Sequence, residues 1–593
     1  MAPTAEDPVQ APVEAAPAAS DSAGPSKPRV LVPEKVSPDG LAMLQDKFQV
    51  DIRMGLSPDE LLTVIPDYEA LIVRSETKVN AAVLEAGTNL KVVARAGVGV
   101  DNIDVTAATA RGIIVVNSPS GNILAAAEHT IALLLATARH IGRADGSLKD
   151  GKWERSKLVG VEVGGKTLGI IGLGKVGMHV ARMAKGLGMK VKAVDPYASA
   201  EVAARANVQL VPDLKSMLPV VDFLTIHTPL IASTLDLLGE AELQQMKKTA
   251  RVLNVARGGV YNEAALVKAL DEGWIAAAGM DVFTSEPPAP DSTASLLAKH
   301  PKVVATPHLG ASTVEAQENV SLDVCAQVLK VLAGDLPTTA VNAPLILPEE
   351  YRRLQPFVPL VEKLGSLYTQ HFVGRKGGMI GGRTFELVYH GELAGVTNTR
   401  PLLAALVKGL VSTISDAQGR DVNIVNATLI AKEKGIIINE IHAHETPDFA
   451  YASLVTLRAF TEGCSGQAPQ IIEGYISEDT AYISRLDRFH GSFQPEGTVL
   501  VLHNYDTPGK IGGVGMVLGK QGVNINFMQV ASSEPKPKKK LANANGNGSG
   551  NGASHGTANE ALMILGIDGV VSKEVLEELA ATEGILDVSL VNL

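Results

Sequence analysis

Residues 167–195 read TLGIIGLGKVGMHVARMAKGLGMKVKAVD. The run TLGII is short and apolar, as a buried strand is, and the segment from Lys175 carries apolar residues at helical spacing. Between them Gly172, Gly174 and Gly177 stand at the spacing of a dinucleotide-binding turn, with Lys175 and Val176 opening the helix. The first glycine permits the tight turn, the second lets the backbone approach a pyrophosphate, and the third lets helix and strand pack closely. The helix N-terminus also offers unpaired N–H groups to phosphates. A second strand, KVKAV, ends on Asp195, where a carboxylate suits the ribose hydroxyls of NAD and repels the 2′-phosphate of NADP. The expected cofactor is therefore NAD.

Upstream of this unit, strand-like runs recur at RVLVPEKV, ALIVRS, LKVVARAG and GIIVVNSP, followed by a long helical pattern, AAAEHTIALLLATARHIGRADGSL. Downstream come VDFLTIHTP, ARVLNVARGG, AAAGMDVF and VVATPHLG. Apolar strands alternating with helices predict parallel sheets covered on both faces, hence an α/β fold with two Rossmann-like doubly wound domains. The expected division is a substrate-binding domain at 29–127 and 309–337 and an NAD-binding domain at 128–308. The pattern changes after residue 345, and 345–492 read as an α+β domain. Residues 498–593 run strand, helix, strand, strand, helix, strand, a ferredoxin-like βαββαβ domain. Two stretches resist folding by composition: the Ala- and Pro-rich tail 1–28 and a Gly-, Asn- and Ser-rich insert at 533–559, both expected to be disordered.

A chain of 593 residues is too long for one core and calls for three or four domains. The net charge of −11, with basic and acidic residues spread along the chain, leaves no basic field for nucleic acid. No apolar run approaches the roughly 18 residues of a membrane span. Two cysteines, Cys325 and Cys464, without metal-ligand spacing, fit a reducing compartment and no metal site. A soluble protein with no nucleic-acid or membrane partner is expected.

Oxidising a secondary alcohol by hydride transfer needs a base for the hydroxyl proton and a cation to orient the substrate and polarise its oxygen. Arg257, Glu286 and His308 each follow a predicted strand, so all three fall at the strand ends where α/β sheets bind ligands. The unperturbed pKa of histidine, about 6.5, suits proton exchange near neutrality. Glu286 is the natural partner to fix its tautomer. On the first domain, Arg74 and Arg95 follow strands on the cleft side, and guanidinium forks there suit a second anion such as a phosphate.

The ordered set GLGKVG, NVARGG, GMDVFTSEPP and TPHLGAS resembles the D-isomer-specific 2-hydroxyacid dehydrogenases, over residues 29 to about 340. That resemblance implies that Arg257 binds the substrate carboxylate and C2 oxygen, that His308 is the acid–base and that Glu286 is its partner. It further implies that Asp281 contacts the nicotinamide, and that Thr228, Ala256 and Gly310 line the cofactor site. The motifs LIVRSETKV, VVARAGVGVDNID, NSPSGN and DGKWER narrow the likeness to the branch acting on 3-phosphoglycerate. They add Gly97, Gly99 and Asn122 to the substrate site, with Arg155 reaching it from a neighbouring subunit. Members of this branch with long C-terminal halves carry a regulatory ACT domain. NYDTPGKIGGVGMVLGKQGVNI matches its signature and implies Asn504, Asp506 and Asn524 as an L-serine effector site, although position 504 often carries His or Tyr in serine-sensitive forms. The resemblance also implies a homodimer or homotetramer, in the cytosol or plastid stroma. Two other functions fit the same residues: reduction of another 2-oxoacid such as 2-oxoglutarate, and non-catalytic NAD sensing.

Overall fold

The computed structural model describes residues 27–374, 380–412, 422–444, 451–461, 468–532, 560–569 and 571–593. Nearly all of the 1–28 tail, the 533–559 insert and Cys464 lie outside the described residues.

Five short strands form the first sheet: β1 (Arg29–Val32), β2 (Gln49–Ile52), β3 (Ala70–Val73), β4 (Val92–Arg95) and β5 (Ile114–Asn117). All are parallel, in the order β2-β1-β3-β4-β5. Every residue of β3 is buried, as covering both faces of a parallel sheet requires. The edge strand β2 is half exposed and lacks the apolar run that marks the others, so its sequence does not announce it as a strand.

The second sheet contains β6 (Thr167–Ile171), β7 (Lys190–Val194), β8 (Gln209–Leu210), β9 (Phe223–Ile226), β10 (Arg251–Asn254), β11 (Ala277–Met280) and β12 (Val303–Ala305). It is parallel throughout, in the order β12-β11-β10-β9-β6-β7-β8. The order reverses between β6 and β9, which opens a ligand crevice at the carboxyl ends of those strands.

The predicted single long helix between the sheets is two helices. Ile123–Arg139 ends at His140, whose left-handed backbone (φ 55°) turns the chain into Ile141–Lys149. The first helix buries a full apolar face, the second buries no residue. Beyond β12 the helix Val314–Leu332 returns to the first sheet, where Val320, Val324, Cys325 and Val328 join Val30, Val32 and Ala94 in one core. The ends of both sheets are thus held face to face.

In the C-terminal half β13 (Arg383–Gly391), β14 (Ile436–Ala443), β15 (Ser453–Thr461), β16 (Gln470–Ser477), β17 (Thr480–Leu486) and β18 (Phe489–Phe493) form a sheet in the order β14-β13-β15-β16-β17-β18. Only β13 and β14 are parallel. The last sheet has β19 (Thr498–Tyr505), β20 (Asn524–Ser532), β21 (Glu560–Asp568) and β22 (Ile585–Asn592), antiparallel in the ferredoxin-like order β20-β21-β19-β22. The two sheets share an apolar cluster: Val499, Val501, Leu562, Ile564 and Val591 are buried in the same core as Phe385, Phe489 and Phe493. Buried His371 Nδ1 meets Ser589 Oγ at 2.7 Å, and the Gln370 carboxamide exchanges two bonds of 2.9 Å with the main chain of Asn592, the last residue of β22.

The helices Phe357–Tyr368 and Arg400–Val411 cross at glycines. A Cβ at Gly409 would stand 1.9 Å from the Glu362 carbonyl oxygen, and one at Gly365 would stand 2.6 Å from that of Leu406. Backbone cannot yield as a side chain does, so Gly409→Ala is expected to destabilise the C-terminal half by about 1–3 kcal/mol. Calorimetric unfolding of the full chain checks this through a lowered transition, with NAD binding retained.

Candidate active site

Gly172 lies in the left-handed region (φ 87°), and a Cβ on it would meet the His227 carbonyl oxygen at 2.6 Å. A Cβ on Gly177 would meet the Gly172 carbonyl oxygen at 2.2 Å. Nothing lies within 4 Å of where a Cβ on Gly174 would be. The first and third glycines are therefore forced by protein packing, and the second keeps space open at the N-terminus of the helix Lys175–Gly186. The Asp195 carboxylate binds the turn itself, accepting from Leu173 N at 2.7 Å and from Tyr197 N at 2.8 Å. Thr228 Oγ1 is buried without a hydrogen-bond partner, beside the glycine turn. A buried hydroxyl with no partner costs free energy unless something supplies one. The open glycine cradle and this hydroxyl both fit a dinucleotide. Lys175 Nζ reaches across to Ser120 Oγ at 2.8 Å, joining the turn to the first domain.

At the neighbouring strand ends His308 Nδ1 and Glu286 Oε2 lie 2.6 Å apart, and Phe283 N donates to Glu286 Oε1 at 3.0 Å. Burial raises the Glu286 pKa, but the His308 and Phe283 bonds outweigh it and leave the carboxyl below its usual range. Glu286 thus stays anionic and holds Nδ1, leaving Nε2 of the ring for chemistry. His308 itself has φ 54°, a conformation non-glycine residues rarely hold without support. The support is Asp281, wholly buried. Its carboxylate accepts from Thr306 Oγ1 at 2.6 Å, Leu309 N at 2.7 Å and Gly310 N at 2.8 Å, with His129 Nε2 at 3.1 Å, and its carbonyl accepts from His308 N. Burial raises the Asp281 pKa, yet these bonds, led by His129 and Thr306, bring it below the ordinary value. The fastening is therefore complete above the unfolded carboxylate pKa, about 3.9, and is lost only as pH falls through the depressed native value.

A cleft of about 1020 Å³ lies between the two domains. Arg74, Arg95, Gly97, Gly99 and Asn122 line it from the first domain, and Arg257, Asp281, Glu286 and His308 from the second. Arg95 is largely withdrawn from water, its Nε without a partner, and burial followed by repulsion from Arg257 lowers its pKa. A Cβ on Gly97 would stand 1.9 Å from Arg95 Nη1, so that guanidinium lies against the backbone. Ala256 is fixed behind the cleft by Asn254, which accepts from Ala256 N at 3.0 Å and donates to the Arg257 carbonyl at 2.8 Å.

Several residues that build the site went unread in the sequence. Buried Glu34 accepts from Arg74 N, Glu76 N and Thr77 N at 2.9–3.1 Å, and Asn102 Nδ2 donates to the Arg74 and Thr77 carbonyls. Together they shape the loop that presents Arg74. A charged residue one position beyond the apolar run RVLV, after Pro33, is the available signal for Glu34. Asn102 and Asp101 lie within the motif VVARAGVGVDNID. Arg155 is exposed and lies outside this chain's cleft. The proposed effector residues do not come together within the chain. Asn504 pairs with Ala561 at one end of β21, and Asn524 with Asp568 at the other. Among the described residues no group of His, Cys, Asp and Glu is arranged to hold a metal ion, and no helix is long and apolar enough to cross a membrane.

The reversal point of the second sheet, the glycine turn and the His–Glu pair facing arginines define a dehydrogenase of the D-2-hydroxyacid type. Residues 131–310 accordingly match the family described as D-isomer specific 2-hydroxyacid dehydrogenase, NAD binding domain. Residues 353–481 match the D-3-phosphoglycerate dehydrogenase intervening domain. The chain is 41% identical over 577 residues to D-3-phosphoglycerate dehydrogenase 2, chloroplastic, of Arabidopsis thaliana, covering 95% of this chain and 87% of that one. It is 39% identical over 566 residues to the D-3-phosphoglycerate dehydrogenase of Archaeoglobus fulgidus, covering 95% and 100%. The chain belongs to the D-3-phosphoglycerate dehydrogenase family.

Thr228→Val removes the partnerless hydroxyl and keeps its shape. NAD affinity measured by titration calorimetry should weaken about two- to ten-fold, the net worth of one hydrogen bond, with no loss of thermal stability.

Proposed function

We propose that the chain uses NAD to oxidise the C2 hydroxyl of 3-phospho-D-glycerate to the ketone of 3-phosphohydroxypyruvate, the first step of the phosphorylated route to serine. The observation that carries this reading is the pairing of His308 with Glu286 at 2.6 Å in a cleft whose opposite wall presents Arg74 and Arg95. Arg257 holds the substrate carboxylate and polarises the C2 oxygen. Arg74 and Arg95 take the phosphate, whose two negative charges offset their mutual repulsion with Arg257. NAD held at the glycine turn and Thr228 would supply the acceptor for the C2 hydride. His308 Nε2 receives the hydroxyl proton as the C–O bond becomes double, and Glu286 stabilises the resulting imidazolium through Nδ1. Asp281 keeps the His308 loop in place, and the glycine turn with Thr228 seats the dinucleotide.

Turnover followed by NADH absorbance should favour 3-phospho-D-glycerate over D-glycerate and D-lactate, and 3-phosphohydroxypyruvate over 2-oxoglutarate in the reducing direction. Preference for a non-phosphorylated acid would overturn the reading. Arg95→Ala should raise KM for the phosphorylated substrate about 10- to 100-fold, the cost of losing a charged hydrogen bond. His308→Ala should lower kcat by about 10²–10⁴.

The same reading includes a second copy. The helix Ile141–Lys149 buries nothing, and Ile141, Leu148, Trp153 and Val159 are 55–82% exposed around it. Four large apolar side chains left exposed within residues 141–159 support an interface on this segment. Covering it with a second copy accounts for Arg155, which lies on the same segment and outside its own cleft. Trp153→Glu is expected to sediment as a smaller species than the wild type, with KM for the phosphorylated substrate raised.

A further inference from the structure

Arg257 already has a carboxylate partner, supplied by the other domain. Asp101 lies in the loop after β4, 156 positions away in sequence, and its Oδ2 accepts from Arg257 Nε at 3.2 Å. Arg257 Nη1 is taken by the Ala256 carbonyl at 2.7 Å, which leaves Nε and Nη2 as the donors directed at the cleft. The two side chains meet over Gly99. A Cβ there would stand 2.1 Å from Arg257 Nη2 and 2.6 Å from Asp101 Oδ2, so the missing side chain at this position is what admits the pair.

Two of the acids near the cleft arginines are held in very different ways. Glu34 is buried and bonded to three backbone N–H groups, a fixed part of the loop it shapes. The Asp101 side chain is 70% exposed, and among the described residues its one ion-pair partner is Arg257. An exposed pair of this kind is worth roughly 0–1 kcal/mol, little enough to be exchanged.

We propose that Asp101 is an exchangeable counter-ion for Arg257. It occupies the guanidinium in the substrate-free enzyme and gives it up to the substrate carboxylate, which is the same chemical group approaching the same donors. No bond is made or broken: one carboxylate leaves the guanidinium for solvent as another arrives. Asp101 acts through Arg257 and is a positioning residue. The inference rests on Arg257 binding the substrate carboxylate, as in the function proposed above.

Steady-state kinetics of the full-length wild type, Asp101→Asn and Asp101→Glu test it with 3-phospho-D-glycerate and NAD. Asparagine keeps the shape and removes the competing charge, so KM for the acid should fall about two- to five-fold, the worth of an exposed pair. The change in kcat should be smaller, and KM for NAD should not move. Glutamate should return KM toward the wild-type value. A KM for Asp101→Asn equal to or above wild type overturns the counter-ion assignment, as does a fall in kcat with KM unmoved, the mark of a merely structural role. Failure of the wild type itself to turn over 3-phospho-D-glycerate would instead sink the functional reading.

Discussion

The carboxylate of Asp281 has no contact with water, and each hydrogen bond it accepts comes from a group that must be in register for the site to exist. An uncompensated buried charge is costly, so removing donors from it is strongly unfavourable. The chain satisfies it with two consecutive backbone N–H groups just past His308, a hydroxyl just before, and an imidazole from the helix Ile123–Arg139. That helix follows the last strand of the first sheet, and so one anion ties together the element joining the two domains and the loop carrying the acid–base. The left-handed backbone of His308 is tolerable because this network leaves it no better alternative.

Electrostatics across the cleft follow a second constraint. Arg74, Arg95 and Arg257 converge, and Arg95 shows the strain of burial beside another cation. Glu34 and Asp101 supply the balancing charge, one rigidly and one loosely. A ligand carrying a carboxylate and a phosphate completes the neutralisation, while a monoanion leaves part of it undone. Close backbone approach makes this density possible. Gly97 and Gly99 admit the Arg95 and Arg257 guanidinium groups, and a Cβ on Gly258 would strike the Phe283 carbonyl oxygen at 2.0 Å.

Features encoded over a few consecutive residues were legible in the sequence: the glycine turn, the apolar strands of both parallel sheets, and the polar residues that end them. Where a feature depends on distant partners, the sequence is mute. Glu34 is recognisable as structural only once Arg74, Glu76 and Thr77 lie against it, 40 or more positions later. The edge strand β2 and the two-residue β8 carry too little apolar material to register. Strands β15 to β18 register only as part of an α+β region, because one-sided burial breaks the apolar run into alternation. Apolar residues continue through His140, and so nothing announces the turn that a single left-handed residue introduces. The ferredoxin-like order of the last sheet was readable from its alternation of elements. Its shared core with the preceding sheet was not, since an apolar strand does not declare which neighbour covers it.

The carboxamide of Gln370 behaves toward β22 as one more peptide unit, donating to the Asn592 carbonyl and accepting from its N–H. Strand β20, on the opposite side, pairs only with β21 among the described residues. A sheet with both margins open is a template for unlimited lateral growth. Here the Gln370 side chain already occupies the outward main-chain groups at the end of β22, so that end offers nothing to another strand, and β20 lies beside β18, with Phe527 stacked on Phe493.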